Sequence, residues 1–149
     1  MNLGNPKKAL LFFEQALQVE PRHAGALIKK GNIFGKFARY EEAVSCYDEV
    51  LETEPANALA LVNKGLALHY LQRYDDAVSC FDKILEERPS SAMALYNKAS
   101  SLAMQGRSKE SLEFLEKSIR QDFSYKYKAR ADADFESIRK TNEFKKTVF

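Results

Sequence analysis

The sequence predicts an all-α protein, an α-solenoid built from antiparallel helical hairpins. Landmark residues in the stretch from Ala24 to Pro55 recur 34 residues later, between Ala58 and Pro89. Within each copy, apolar residues recur at steps of three and four, which is the spacing of one buried helix face. A fixed period of about 34 residues indicates stacked helix pairs, in which each unit packs mainly on its neighbours.

The two copies share their landmarks in the same order. Each reads Ala-x-Ala-Leu-x-x-Lys-Gly, then Arg-Tyr, then Ala-Val-Ser-Cys, and ends on Leu-Glu and Pro. Gly31 and Gly65 lie inside the first helix of each copy, where glycine costs about 1 kcal/mol relative to alanine. We expect these glycines because the paired second helix approaches closely at that point.

The repeat register divides the chain, which is predicted to form one domain of residues 1–149, into five segments. They are a half repeat that holds only a second helix (4–21), two full repeats (24–57 and 58–91), a divergent repeat (92–123) and a C-terminal helical cap (124–149). Terminal units of solenoids need atypical caps to stay soluble. The cap is expected to be helical at 128–133, 135–139 and 143–148, with Asn142 as an N-cap. Its apolar residues Phe135, Ile138, Phe144 and Val148 are expected to cover the last repeat.

The half repeat is expected to expose an apolar face. Its residues Leu10, Phe13 and Leu17 follow helical spacing, but no first helix of the same repeat precedes them. Either the chain is part of a longer array, or the half repeat is its natural start. Burying each of these side chains is worth roughly 1.5–3 kcal/mol. We therefore predict self-association through Leu10, Phe13 and Leu17, with the face covered by a second copy or a neighbouring molecule.

Composition excludes several classes of protein. Apolar residues make up 45% and charged residues 30% of the chain, which suits folding in water, and the net charge of +2 is too small to argue for nucleic acid. No apolar run approaches the roughly 20 residues of a membrane span, and the N-terminus lacks the apolar core of a signal peptide. A cytoplasmic protein that binds neither nucleic acid nor membrane is predicted.

No residue pattern indicates a catalytic or metal site. Cys46 and Cys80 occupy equivalent positions of adjacent repeats, whereas a metal site needs closely spaced ligand pairs. We expect two reduced cysteines packed in helices. No Ser or Cys has an evident base partner, and no glycine-rich phosphate loop is present. The sequence therefore predicts a protein with no enzymatic activity and no cofactor.

The landmarks resemble the tetratricopeptide repeat. That family's pattern requires a large apolar residue, then Gly, an aromatic residue, Ala, a second aromatic residue, a second Ala and Pro. At the second Ala this sequence departs from the pattern, with Val50 and Ile84. The first full repeat offers Leu27, Gly31, Tyr40, Ala43, Tyr47 and Pro55, and the second offers Leu61, Gly65, Tyr74, Ala77, Phe81 and Pro89. The resemblance covers about residues 4–123. It implies a right-handed superhelix, and it implies a protein-interaction scaffold that holds a partner's peptide or helix in a concave groove lined by the first helices.

Carried over to this sequence, that geometry implies which residues line the groove. They are Ile28, Lys29, Asn32, Leu59, Val62, Asn63, Leu66, Tyr70, Met93, Tyr96, Asn97 and Ser100. Asn63 and Asn97 lie one repeat apart, and an Asn amide can pair with a peptide backbone of any sequence. Alternatively, these amides bond within the array. The surrounding apolar side chains favour a mostly apolar or mixed segment.

The resemblance also allows one partner class to be tested. Co-chaperones of this family hold the C-terminal carboxylate of a heat-shock chaperone with a clamp of Lys, Asn and Arg side chains. Asn32 and Asn63 match the clamp's amides, but Ile28, Met93 and Asn97 stand at its cationic positions. A doubly charged terminus would lack its main partners there. This clamp is therefore predicted to be absent.

Two functions from different classes remain open. The first is the scaffold with a partner segment in its groove. The second is a structural self-assembly module, in which the half repeat stacks on another copy or on a longer array. An RNA binder is disfavoured because no basic stripe is present.

Overall fold

The computed structural model describes residues 5–149, and all of its regular elements in that range are helical. The helices are α1 (Pro6–Val19), α2 (Ala24–Lys36), α3 (Tyr40–Thr53), α4 (Ala58–Tyr70), α5 (Tyr74–Glu87), α6 (Ala92–Met104), α7 (Ser108–Gln121), α8 (Ser124–Ala131), a 3-10 turn (Ala133–Phe135) and α9 (Asn142–Val148). The predicted all-α class is confirmed. Gly4, the first residue of the predicted half repeat, lies outside the described residues.

The starts of three helices follow the sequence period, and a side chain caps each of them. Helices α2, α4 and α6 begin 34 residues apart. Just before them, the side chains of His23, Asn57 and Ser91 each accept a hydrogen bond from the backbone N–H three residues later. Such a cap satisfies a donor that the first helical turn leaves free, and it typically contributes about 1 kcal/mol.

The chain divides into two compact units, residues 1–71 and 72–149. In unit 1, α2 packs against α1 and α3, and α3 also packs against α4. In unit 2, α6 packs against α5 and α7, and the C-terminal elements pack on α6 and α7. The hairpin turns inside the units each contain one residue with positive φ: Ala38 at 57° and Gly106 at 75°.

The glycine in α2 allows close helix packing, as predicted. A Cβ atom on Gly31 would lie 2.6 Å from Cε1 and 2.9 Å from Cζ of Tyr47 on α3. These distances are shorter than any real contact allows, so only glycine fits under this tyrosine ring. Tyr47 is only 3% exposed and fills the space between α2 and α3.

Consecutive repeats are joined by an ion pair that recurs with the period. Lys98 on α6 pairs with Asp82 on α5 at 2.5 Å, and Lys64 on α4 pairs with Asp48 on α3 at 2.5 Å. The third pair, between Lys30 and Glu14, is longer, at 3.9 Å. The Lys98 side chain is the least exposed of the three lysines, at 14%, and it also lies 3.9 Å above the ring of Phe114.

The C-terminal tail is folded onto unit 2. Its residues Phe135, Ile138, Phe144 and Val148 are at most 2% exposed and share one core with α6 and α7. The prediction that they cover the last repeat is therefore confirmed.

Two details of the predicted cap are wrong. Residues 136–140 form turns after the 3-10 turn rather than a helix. Thr141, and not Asn142, caps α9, because its hydroxyl accepts a hydrogen bond from the Phe144 N–H.

Candidate functional site

The predicted groove residues of unit 1 surround a pair of asparagine side chains. The Asn63 Nδ2 group on α4 donates to Oδ1 of Asn32 on α2, at 2.9 Å. The Tyr47 hydroxyl on α3 donates to the same oxygen, at 2.7 Å. Of the two alternatives for Asn63, the structure shows the bond within the array, and a contact with a partner's backbone stays a prediction. Asn63 bonds within the array, but the two amides also lie at the surface, where Asn32 is exposed and Asn63 half-buried.

An open depression of about 430 Å³ lies beside these amides. Its lining residues come from α2, α3 and α4, and they are Asn32, Gly35, Lys36, Tyr40, Ala43, Tyr47, Asn63, Leu66, Ala67 and Tyr70. The rings of Tyr40 and Tyr70 stack at 5.1 Å with an interplanar angle of 14°. Because Tyr70 remains 63% exposed, this depression offers an aromatic surface next to amide groups, a combination that suits peptide recognition.

A second depression, of about 370 Å³, lies on the other side of Asn32. It is formed by α1 and α2 and is lined by Pro6, Ala9, Phe13, Lys29, Asn32, Ile33, Lys36 and Phe37. Asn32 and Lys36 therefore border both depressions. Neither depression has an acidic residue among the residues that line it.

The remaining predicted residues of unit 1 divide by exposure. Ile28 and Val62 are buried at 6% and 8% and serve as core. Lys29 and Leu59 are exposed, and Leu66 is half-buried in the first depression. Sequence reasoning missed Lys36, although the residue at its position one repeat later is Tyr70, which was predicted to line the groove.

Sequence reasoning also missed the two tyrosines of α3. Tyr40 and Tyr47 are landmarks of the repeat pattern, yet both also line the first depression. Their chemistry contained the signal, since a buried Tyr ring usually brings its hydroxyl to a polar partner near the surface. Burial raises the pKa of Tyr47 to about 12.

In unit 2, the predicted groove residues meet the protein's own tail. The Ser100 hydroxyl donates to Oδ2 of Asp134, at 2.5 Å, and the Tyr96 hydroxyl donates to Asp132, at 2.6 Å. Tyr96 and Ser100 are 1% and 5% exposed, so the expectation that they line an open groove is wrong: the tail covers them. Met93 keeps 39% of its surface exposed and Asn97 is half-buried.

Phe13 on helix α1 is buried within the chain itself, without a second molecule. Phe13 is 7% exposed and packs with Ala9 and Ala26, while Leu10 and Leu17 are half-buried. The expectation that Phe13 is left uncovered is wrong, because α2 supplies the partner surface. The apolar side chains that α1 does expose are Leu11 at 55%, Phe12 at 44% and Val19 at 90%.

The cysteines are free and buried. Burial raises the pKa of the Cys46 thiol to about 11, which keeps it in the unreactive neutral form at neutral pH. Among residues 5–149, no cluster of three His, Cys, Asp or Glu side chains could hold a metal ion. In the same range, no helix has the length and apolar content needed to cross a bilayer.

A comparison with models of protein families shows to which family this chain belongs. The tetratricopeptide repeat model matches residues 28–70 and 67–124, which together span well over half of the chain. The chain belongs to the tetratricopeptide repeat family. The family resemblance inferred from the repeat landmarks is therefore confirmed.

Solved structures show the same tetratricopeptide repeat fold. A crystal structure of MamA has a TM-score of 0.83 at 16% identity, covering 97% of this chain and 85% of that chain. MamA from Desulfovibrio magneticus RS-1, residue 41 to the end, gives 0.81 at 22% identity, covering 97% and 80%. The first tetratricopeptide repeat domain of Spaghetti (RPAP3), bound to an HSP90 peptide, gives 0.66 at 21% identity, covering 83% and 89%.

These likenesses concern the fold alone. A comparison with curated proteins finds no significant match. The function of this tetratricopeptide repeat chain is therefore argued from its own surface.

Proposed function

We propose that this protein is a non-enzymatic protein-interaction scaffold that holds a peptide or helix of a partner protein on the α2–α3–α4 surface of unit 1. The observation that carries this proposal is the open depression in which the Asn32 and Asn63 amides lie beside the exposed, stacked ring of Tyr70. Amides can pair with a peptide backbone, and an aromatic face contributes buried area at low entropic cost.

The tail occupies part of the α6 surface of unit 2, so the proposed binding site is confined to unit 1. Because the tail covers Tyr96 and Ser100, the α6 face offers less open surface than unit 1. In a related fold, the RPAP3 domain is bound to an HSP90 peptide, which supports a peptide as the class of ligand. Five statements remain predictions from sequence. They are that the protein lacks the chaperone clamp, binds no nucleic acid, binds no membrane, needs no cofactor and is cytoplasmic.

A capture experiment tests the scaffold proposal. The bait is the wild-type chain, beside an Asn63→Ala/Tyr70→Ala variant and a matched Tyr127→Ala control, since Tyr127 is 57% exposed in unit 2 and Tyr70 is 63% exposed in unit 1. Proteins retained from a source lysate are identified by mass spectrometry after circular dichroism has shown equal helicity. A protein kept by the wild type and the control but lost by the double variant supports the proposal. Equal retention by all three baits contradicts it.

A second candidate function is self-assembly through α1. The observation that favours it is the exposed pair Phe12 and Val19, which share one face of α1 and help to line a depression of about 420 Å³. Sedimentation velocity over a range of concentrations tests it. A concentration-dependent dimer that Phe12→Asp abolishes supports assembly. A monomer at all concentrations contradicts it.

A further inference from the structure

The orientation of the Asn32 amide leaves its donor group available. Its Oδ1 atom already accepts from the Tyr47 hydroxyl and from Asn63 Nδ2, so both acceptor sites of that oxygen are used. The Nδ2 group takes part in no hydrogen bond among residues 5–149. Asn32 is exposed and borders both depressions. Hydrogen bonds from Tyr47 and Asn63 therefore hold the Asn32 amide with both N–H donors of its Nδ2 group unused.

Two lysines flank this donor on the same face of α2. Lys29 lies three residues before Asn32 and Lys36 four residues after it, the spacings at which helical side chains are neighbours. Within residues 5–149, neither lysine forms an ion pair with a carboxylate. Lys36 borders both depressions and Lys29 one of them. A strip of two cations and an amide donor, with no acidic residue lining the two depressions that Asn32 borders, suits a ligand that carries carboxylates.

The chain's own tail shows what kind of segment the equivalent face of α6 binds. Two repeat periods after Ile28 and Asn32, the same positions are occupied by Tyr96 and Ser100. These two hydroxyls hold the carboxylates of Asp132 and Asp134. The next residue, Phe135, packs edge-on against the Tyr96 ring at 5.6 Å.

We propose that the Lys29–Asn32–Lys36 strip of unit 1 binds an internal acidic segment of a partner protein, with an aromatic residue beside its carboxylates. This inference rests on the proposed scaffold function and specifies its ligand. A carboxylate accepts from Asn32 Nδ2 between the two ammonium groups. The aromatic side chain packs on the exposed face of Tyr70. The chain's own tail is not the occupant, because Phe135 is fully buried in unit 2.

A synthetic peptide with the sequence of residues 131–137, Ala-Asp-Ala-Asp-Phe-Glu-Ser, serves as the probe. It is acetylated and amidated so that it has no terminal carboxylate, and it carries a fluorophore for polarisation measurements on the full chain. A second peptide has Asn in place of both Asp residues. We expect the Asp peptide to bind at least about tenfold more tightly than the Asn peptide, and its affinity to fall with added salt.

Two variants of the protein locate the binding site. Asn32→Asp keeps an oxygen that can accept from Tyr47 and Asn63, and it replaces the Nδ2 donor with a second, charged oxygen. Lys29→Glu/Lys36→Glu reverses the charge of the strip, and Lys109→Glu/Lys140→Glu is its charge-matched control at exposed sites of unit 2. We expect each strip variant to weaken binding of the Asp peptide at least about tenfold, with the control unchanged. Circular dichroism verifies that all four proteins are equally folded.

Three outcomes would overturn the proposal: no binding of the Asp peptide up to about 1 mM, equal binding of the two peptides, or strip variants that bind like the wild type. These outcomes are distinguishable from failure of the scaffold function. If the capture experiment still retains a partner that depends on Asn63 and Tyr70, the scaffold stands and only the acidic class of ligand is wrong.

Discussion

The Tyr96 hydroxyl donates a 2.6 Å hydrogen bond to Oδ2 of Asp132, 36 residues further along the chain. This contact connects α6, which was predicted to line the groove, to the C-terminal tail that follows the repeats. Burial, and then this hydrogen bond, raises the pKa of Tyr96 well above its ordinary value. The tail is thus part of the core of unit 2 and covers part of the α6 face that was predicted to line the groove.

The first prediction concerns the contribution of the tail to stability. Phe135 is fully buried, so Phe135→Ala is expected to lower the free energy of unfolding by about 3–5 kcal/mol. Phe149→Ala is the matched control, because Phe149 is 71% exposed and its truncation is expected to cost less than about 0.5 kcal/mol. Urea denaturation followed by circular dichroism measures both. Equal midpoints for the two variants would show that the tail does not stabilise the fold.

The second prediction contrasts two glycines of the same helix. Gly31→Ala places a methyl group against the Tyr47 ring and is expected to destabilise the protein by about 1–3 kcal/mol. Gly35→Ala meets no atom within 4 Å, so only its higher helix propensity acts, and we expect a gain of about 0.5–1 kcal/mol. Thermal unfolding of both variants tests this difference in sign. A stabilising Gly31→Ala would contradict the close packing of α2 on α3.

The third prediction concerns alkaline pH. Because burial raises the pKa of Tyr47 to about 12 from 10.0, the folded protein binds the phenolic proton more tightly than the unfolded chain does. This contribution to stability is complete below about pH 10 and is lost as the pH rises towards 12. The free energy of unfolding is expected to fall over that interval, and Tyr47→Phe is expected to make the fall shallower.

Urea titrations at fixed pH values measure this slope. Tyr96 contributes to the same fall through its own raised pKa, so Tyr47→Phe removes only part of the slope. Tyr127→Phe, at a 57% exposed site, is the control and is expected to leave it unchanged. Identical slopes for the wild type and Tyr47→Phe would refute the prediction.

The fourth prediction ranks the recurring ion pairs. A double-mutant cycle on Lys98 and Asp82 is expected to give a coupling of about 1 kcal/mol, because the pair is short and the lysine is mostly buried. The same cycle on Lys30 and Glu14, at 3.9 Å, is expected to give nearly zero. Denaturation in urea supplies the four free energies of each cycle. Equal couplings would mean that distance and burial do not set the strength of these pairs.

The sequence by itself determined the fold class, the positions of the repeat helices and the reason for Gly31. These follow from local chemistry that repeats: apolar residues at helical spacing, and a glycine where two helices meet. A period in the sequence reports such properties directly, because each repeat packs on its neighbours in the same way.

Only the tertiary structure decided which predicted residues are open to a partner. Ser100 and Asn32 occupy the same helix position two repeats apart, yet the tail covers Ser100 and leaves Asn32 exposed. Likewise, α2 buries Phe13 while Phe12 faces outward. The physical reason is that coverage depends on contacts between segments far apart in the chain, and the tail that makes such contacts carries none of the repeat's landmarks.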